Sequence, residues 1–206
     1  RYVGGVVSVN GSQSTVSGVT NSGLVAGLGK NAAYVGGIAG LNDAEWGSTN
    51  AANTAATIQN CVSSMASDTA TNSSRSALLQ ALSTYKNASN QETTTRADYV
   101  GGLVGRNGKN AVLTWDNEAT TVQIGAVICG NDFVGGLVGF ASGSELENCT
   151  TQKGYVLGRC FVGGMAGGFS GSQFKITGGS NSSTVLGIRY VGGVVSVNGS
   201  QSTVSG

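Results

Sequence analysis

The sequence predicts an all-β fold of the parallel β-helix (β-solenoid) class, and three observations point to it. An aromatic residue followed by Val-Gly-Gly and then an aliphatic residue recurs six times. Successive recurrences start 32, 65, 34, 28 and 29 residues apart, and 65 is about two periods. Between them, short valine-rich runs alternate with Gly, Ser, Thr and Asn, the residues that make tight turns. A repeat of this length is one supersecondary unit that buries its apolar face only by stacking on its neighbours.

The first element of each coil is the motif itself: "YVGGVVS" from Tyr2 and Tyr190, "YVGGIAG" from Tyr34, "YVGGLVG" from Tyr99, "FVGGLVG" from Phe133 and "FVGGMAG" from Phe161. The residue after the aromatic is Val in all six (Val3, Val35, Val100, Val134, Val162, Val191). The residue four after the aromatic is aliphatic in all six (Val6, Ile38, Leu103, Leu137, Met165, Val194). Two positions three apart cannot face one side of an unbroken strand, because side chains alternate with a period of two. The Gly-Gly between them is therefore expected to form a bulge or bend that resets the alternation. Stacked coils would place like residues above one another at ~4.8 Å, so the aromatics Tyr2, Tyr34, Tyr99, Phe133, Phe161 and Tyr190 are expected to form a ladder of structural character.

The remaining elements of a coil follow from the fourth copy. After "FVGGLVGF" come "SELENCT" (Ser144 to Thr150) and "GYVLG" (Gly154 to Gly158), and the next copy repeats this with "SQFKITG" and "STVLG". The expectation is about three short strands per coil. One copy is longer, with an insertion over 41–96. Within it "ATIQNC" (Ala56 to Cys61) matches "SELENC", so the coil continues and the extra residues are loops. The stretch "SRSALLQALSTYKN" (Ser74 to Asn87) places Leu78, Leu82 and Tyr85 on one helical face beside Leu79, with Ser74 as N-cap, and predicts a short α-helix.

The eighteen residues "RYVGGVVSVNGSQSTVSG" occur twice, at Arg1 to Gly18 and at Arg189 to Gly206. An identity of that length implies one 188-residue unit followed by the first 18 residues of the next, and the whole of 1–206 reads as a single solenoid segment drawn from a tandem array.

Composition narrows function. The 35 glycines, the absence of proline and histidine, and a charged content of 10% fit β-structure with many turns. A formal net charge of +1 from scattered Lys and Arg argues against nucleic acid as partner. No apolar run approaches the length of a membrane span, so no membrane insertion is expected. Without histidine there is no Ser-His-Asp or Cys-His pair and no HExxH site, and the acidic residues lie mostly in separate loops rather than converging. The densest acidic group, "WDNE" (Trp115 to Glu118) with Asp132, offers oxygen ligands suited to Ca²⁺, against the plainer reading of solvated loop charges. "GLGKNA" (Gly27 to Ala32) formally fits a phosphate loop, yet "YVGG" follows where a helix should begin. No cofactor, metal or catalytic residue is assigned. Cys61, Cys129, Cys149 and Cys160 read either as small buried residues or as containing a disulfide. Six Asn-x-Ser/Thr sequons (Asn10, Asn72, Asn87, Asn148, Asn181, Asn198) are about what this composition produces by chance.

"VGGLVG" and "VGGIAG", followed by "ENC" and a short strand, resemble the GLUG repeats of bacterial and archaeal surface proteins, which include adhesins and non-catalytic regions of secreted peptidases. The copies at Tyr2 and Tyr190 depart from that pattern, with "VVS" in place of "LVG". The resemblance implies a right-handed β-helix at an extracellular cell surface and carries over no catalytic residues. The resulting expectation is a non-enzymatic stalk or fibre segment whose partners are identical units stacked end to end. The alternatives are a sheath or surface-layer subunit with lateral self-association, and an adhesive module whose inserted loop meets a glycan or host surface.

Overall fold

A computed structural model describes residues 2–23, 25, 27, 34–47, 55–63, 85–86, 92–93, 98–115, 121–122, 127–171, 174–199 and 201–206. Among these the chain is all β, with no helix. Its strands stack in parallel, rung on rung, as a β-solenoid. The first sheet has six strands in chain order: Tyr2–Gly4, Tyr34–Gly36, Tyr99–Gly101, Asp132–Gly135, Cys160–Gly163 and Arg189–Gly192. The second has Val7–Asn10, Ala39–Asn42, Val104–Asn107, Val138–Ser142 and Ala166–Ser170. The third again has six: Thr15–Ser17, Ala56–Gln59, Ala111–Thr114, Glu145–Glu147, Lys175–Thr177 and Thr203–Ser205. A fourth side holds Thr20–Asn21 beside Val62–Ser63, and Thr121–Val122, Thr150–Thr151 and Ser180–Asn181. A fifth holds Val127–Cys129, Tyr155–Leu157 and Thr184–Leu186.

A complete rung thus has five strands where the sequence suggests three, because two of the expected strands are folded at a corner. The first fold lies at the second glycine and the aliphatic residue after it, as at Gly136 and Leu137, which separate Asp132–Gly135 from Val138–Ser142. The corner is tied rung to rung by the aliphatic residue's own amide: Ile38 N donates to Leu103 O, Leu103 N to Leu137 O and Leu137 N to Met165 O at 2.8–2.9 Å. Glycine is required there because the backbones approach so closely; a Cβ on Gly136 would overlap the Gly164 carbonyl oxygen. The second fold lies after the third sheet, where Gly18, Asn60, Asn148 and Gly178 all adopt left-handed φ of 51–68°. Glycine and asparagine are the residues that enter this region most readily, which explains the Asn of "QNC" and "ENC".

The long second rung keeps its strands through Ser63. Val9 pairs with Leu41 and Asn10 with Asn42, Ala56–Gln59 pairs with both Thr15–Ser17 and Ala111–Thr114, and Val62–Ser63 pairs with Thr20–Asn21. The additional residues of the 41–96 region therefore fall into two stretches, one before Ala56 and one after Ser63. The expected helix over 74–87 lies mostly outside the described residues, and where its C-terminal part is described it is corrected: Tyr85–Lys86 is a strand, antiparallel to Glu92–Thr93. The pairing of these two short strands, close in sequence, overrides the helical periodicity read at Tyr85.

The core fills the interior of the coil with one aliphatic layer per rung. Val35, Ile38, Ile58, Leu103, Leu113, Val134, Leu137, Leu146, Val156, Val162, Met165 and Ile176 are all buried in it. No helix among the described residues is long and apolar enough to cross a membrane.

Candidate functional site: the stacked columns and the two sheet edges

In a solenoid the repeated column is the functional unit, because each side chain meets its equivalents in the rungs above and below. The valines of the motif form such a column. Val3 pairs with Val35, Val35 with Val100, Val100 with Val134, Val134 with Val162 and Val162 with Val191. Val35, Val100, Val134 and Val162 are buried, Val3 is half-buried, and Val191 is exposed in the last rung.

The aromatics form a second column on the outer side of the same sheet. Tyr2–Tyr34, Tyr34–Tyr99, Tyr99–Phe133, Phe133–Phe161 and Phe161–Tyr190 are stacked, with ring centroids 4.7–5.2 Å apart and planes within 20° of parallel. Phe140 meets Tyr99 and Phe133 edge-on at 5.5 and 5.2 Å, and Trp46 meets Tyr2 likewise at 5.5 Å. The ring faces of Tyr34, Tyr99, Phe133 and Phe161 are covered by their neighbours, so the column presents ring edges outward and offers no open face between these rungs on which a ligand could stack. Burial raises the Tyr99 phenol above its ordinary value, and the adjacent Tyr34 acts in the same direction. Phe133, Phe161 and Tyr190 take left-handed φ of 51–53°. Each of these three follows a fifth-side strand after three intervening residues.

Sequence reasoning missed a third column, which is polar and internal. Asn42 Nδ2 donates to Asn107 Oδ1 at 2.8 Å, and Asn10 Nδ2 donates to Asn42 Oδ1 at 2.8 Å. The amides also bond backbone carbonyls across the coil, Asn10 to Ser14 O and Thr57 O and Asn42 to Ala56 O, at 3.0–3.2 Å. All three asparagines are buried, so these bonds replace the water the amides gave up. Ala141 and Phe169 continue the register in the next two rungs, where no amide is present. The signal was available: an Asn stands eight residues after Tyr2, Tyr34, Tyr99 and Tyr190, and is missing from the two Phe copies. Burial of Asn10 inside this column also removes its sequon from the surface.

Asparagine caps the Gly-Gly corner from the rung below. Asn21 Nδ2 donates to Gly37 O at 2.8 Å, and Asn181 Nδ2 donates to Gly193 O at 2.6 Å. In both, the side-chain oxygen accepts the amide two residues on, from Gly23 at 3.0 Å and from Ser183 at 3.1 Å.

Cys61 and Cys149 occupy equivalent positions after the left-handed asparagine, in the second and fourth rungs, and both are buried thiols. Each Sγ–H donates to the carbonyl two residues back, Gln59 O and Glu147 O, at 3.2 Å. Burial pushes the Cys149 thiol up to about 12 and raises Cys61 in the same sense. A thiol held protonated in this way is a packing residue and a poor nucleophile. Cys160 lies in the first sheet between Asp132 and Arg189, and Cys129 lies beside Leu157 in the fifth.

The acidic group of the sequence is only partly within view. Asp116 and Glu118 lie outside the described residues, as do Gly29 to Ala32 of the glycine-rich stretch. Asp132 pairs with Arg159 at 2.6 Å, and Arg159 Nε also donates to Asn131 Oδ1 at 3.0 Å. Among the described residues no three His, Cys, Asp or Glu side chains converge to hold a metal ion.

The two copies of the eighteen-residue stretch lie at opposite ends of the same sheets. Tyr2–Gly4 and Arg189–Gly192 are the outermost strands of the first sheet, and Thr15–Ser17 and Thr203–Ser205 those of the third. Both copies make the same turn between these strands: Gln13 and Gln201 have left-handed φ of 59° and 58°, and Ser14 N and Ser202 N donate to Gly11 O and Gly199 O at 3.2 and 3.3 Å. Comparison with protein-family models, with curated proteins and with solved structures finds no match to this chain.

Proposed function

We propose that the chain is a non-enzymatic structural segment of a long extracellular repeat protein, a stalk or fibre at a cell surface in which successive 188-residue units continue one right-handed β-solenoid of the GLUG-repeat kind. One observation carries this reading: the same eighteen residues form a first-sheet strand, a third-sheet strand and the same turn at both ends of the stacked sheets. At Arg189–Gly206 the stretch is seen resting on the rung below, and at Arg1–Gly18 it is seen covered by the rung above. Superposing the two copies supplies the first-sheet and third-sheet backbone pairings of a junction between units.

Nearest-neighbour stacking makes such an array stiffer and more stable as it grows, because each unit adds interfaces while the number of exposed ends stays constant. First-sheet strands advance five steps between the two copies, so each covalent unit lengthens the rod by roughly 24 Å at ~4.8 Å per step. Chains of one, two and three units should lengthen by that increment in small-angle scattering and resist denaturant progressively better. A string of independent beads, lengthening irregularly with a constant melting temperature, would overturn the reading. So would polysaccharide cleavage by the purified chain that Asp116→Ala or Glu118→Ala abolishes.

A further inference from the structure

We propose that Asn107 and Gly108 form a self-modification site held in check by the closed coil: when their rung opens, the Asn107 carboxamide is lost through a cyclic imide, leaving aspartate or isoaspartate, and the rung cannot close again. Asn followed directly by Gly is especially prone to this reaction, because glycine has no side chain to hinder its own nitrogen as it turns toward the preceding carboxamide. The fold demands the two residues for separate reasons. Asn107 serves the internal amide column, where its Oδ1 accepts from Asn42 Nδ2 at 2.8 Å. Gly108 makes room for Asp43 of the rung below, since a Cβ at 108 would lie 2.3 Å from the carboxylate carbon and Oδ2 of a side chain whose Oδ1 is held by Glu45 N. The reactive pair is thus a consequence of packing.

In the closed coil both partners of the reaction are restrained. Asn107 is fully buried at the end of Val104–Asn107, its carboxamide fixed by Asn42 and by a longer bond to Ala111 O at 3.4 Å. Gly108 is buried too, and its N–H donates to Asn42 O at 2.6 Å, so the nitrogen that must lose its proton is committed to the rung below. The adjacent Asp43 carboxylate opposes that loss, because a negative charge disfavours a second one beside it. Opening the rung removes these restraints. The Gly108 nitrogen then gives up its proton and bonds to Asn107 Cγ; the Cγ–Nδ2 bond breaks, and the carboxamide nitrogen leaves as ammonia with that proton. Water adds to the imide at either carbonyl, giving aspartate or isoaspartate, and no oxidant or reductant takes part. Aspartate puts a carboxylate into a column whose other described members, Asn10, Asn42, Ala141 and Phe169, carry no positive charge. Lys109 is turned outward to Glu45 at 3.0 Å. Isoaspartate adds a carbon to the main chain and throws the residues beyond it out of register with the neighbouring rungs.

The test is peptide mass mapping of the 206-residue chain after incubation at mildly alkaline pH, in native buffer and in urea that unfolds it. The map separates Asn107 from the other Asn-Gly pairs, at 10–11 and 198–199, and from Asn42, which shares the column but precedes Asp43 and is the internal reference. In urea Asn107 should convert faster than Asn42. In native buffer its conversion should be at least ~100-fold slower than in urea, because it waits on opening of the rung. Asn42→Ala removes the donor to Asn107 Oδ1 and should speed the native reaction by about tenfold or more. If that variant does not fold, graded urea on the parent chain replaces it, and the rate at Asn107 should rise in step with loss of the folded state. Closure is read on Asn107→Asp, which carries one of the two products from synthesis and should melt far below the parent or fail to fold. Equal rates in native buffer and urea, an Asn107 that converts no faster than Asn42 in urea, a native rate that follows neither Asn42→Ala nor graded urea, or an Asn107→Asp chain with the parent's melting temperature overturns the proposal.

Discussion

Asn42 and Asn107 are 65 residues apart in the chain, yet their side-chain amides are joined by a 2.8 Å hydrogen bond inside the coil. The same geometry links Asn10 to Asn42, so Asn42 is both acceptor and donor in the column. Replacing it by Ala leaves the Asn107 oxygen without its amide donor and Asn10 without one of its acceptors, in a site closed to water. The expected loss is roughly 1–3 kcal/mol of unfolding free energy, measurable by urea denaturation. A neutral effect would mean that the buried amides are satisfied without one another.

Val134→Asp should be far more damaging. The side chain is fully buried between Val100 and Val162, and no cation lies among the residues of that column to pair with a carboxylate. A loss of about 4 kcal/mol or more is expected, read as a large fall in melting temperature. An unchanged melting temperature would place the valine column at the surface.

Gly136→Ala tests the corner. Its Cβ would collide with the Gly164 carbonyl oxygen and the Thr151 methyl, backbone on one side and a buried residue on the other, so neither neighbour can yield cheaply. A loss of roughly 1–3 kcal/mol is expected from overpacking alone. The same substitution at Gly23, where a Cβ meets only the Asn21 side-chain oxygen at 3.4 Å, should be nearly silent and serves as the control.

Alkaline pH should destabilise the fold through the buried thiols. In the unfolded chain Cys149 ionises near its ordinary 9.0, while in the fold it holds its proton up to about 12. Between those values the folded state binds more protons than the unfolded one, so stability is intact below pH 9 and falls as pH rises, by up to about 1.4 kcal/mol per unit per thiol. Cys61 contributes in the same direction. Melting temperatures recorded from pH 8 to 11 under reducing conditions should decline, and Cys149→Ala should flatten the decline.

The parts of this fold that were legible in the sequence are those where stacking demands like over like. An aromatic above an aromatic and a valine above a valine leave a visible period, and Val134 needed no structure to be placed opposite Val100 and Val162. Corners were harder to see. Asn148 sits inside "SELENCT" between Glu147 and Cys149, and only its left-handed φ shows that Glu145–Glu147 and Thr150–Thr151 belong to different sides of the coil. The asparagine column was overlooked because a lone polar residue at the end of an apolar run looks like a turn former. Its fixed distance from tyrosine was the sign that it points inward. Tyr85 was assigned to a helix on local periodicity, which a hairpin pairing overrides when the partner strand is close in sequence.

Sequential stacking also determines how the molecule would yield to force. In each of the stacked parallel sheets a strand bonds only to its equivalents one rung away, and the described chain runs through the pile from the first rung to the last. Tension applied between the two ends therefore acts on the outermost rungs first, loosening their short strands a few hydrogen bonds at a time while the interior bears no shear. Each released rung frees 28 to 34 residues in the regular copies, or about 100 Å of slack at ~3.4 Å per residue. Such a molecule behaves under load as a reel rather than a rope: it gives length in small regular steps at low tension, and winds back because the next rung remains as a template.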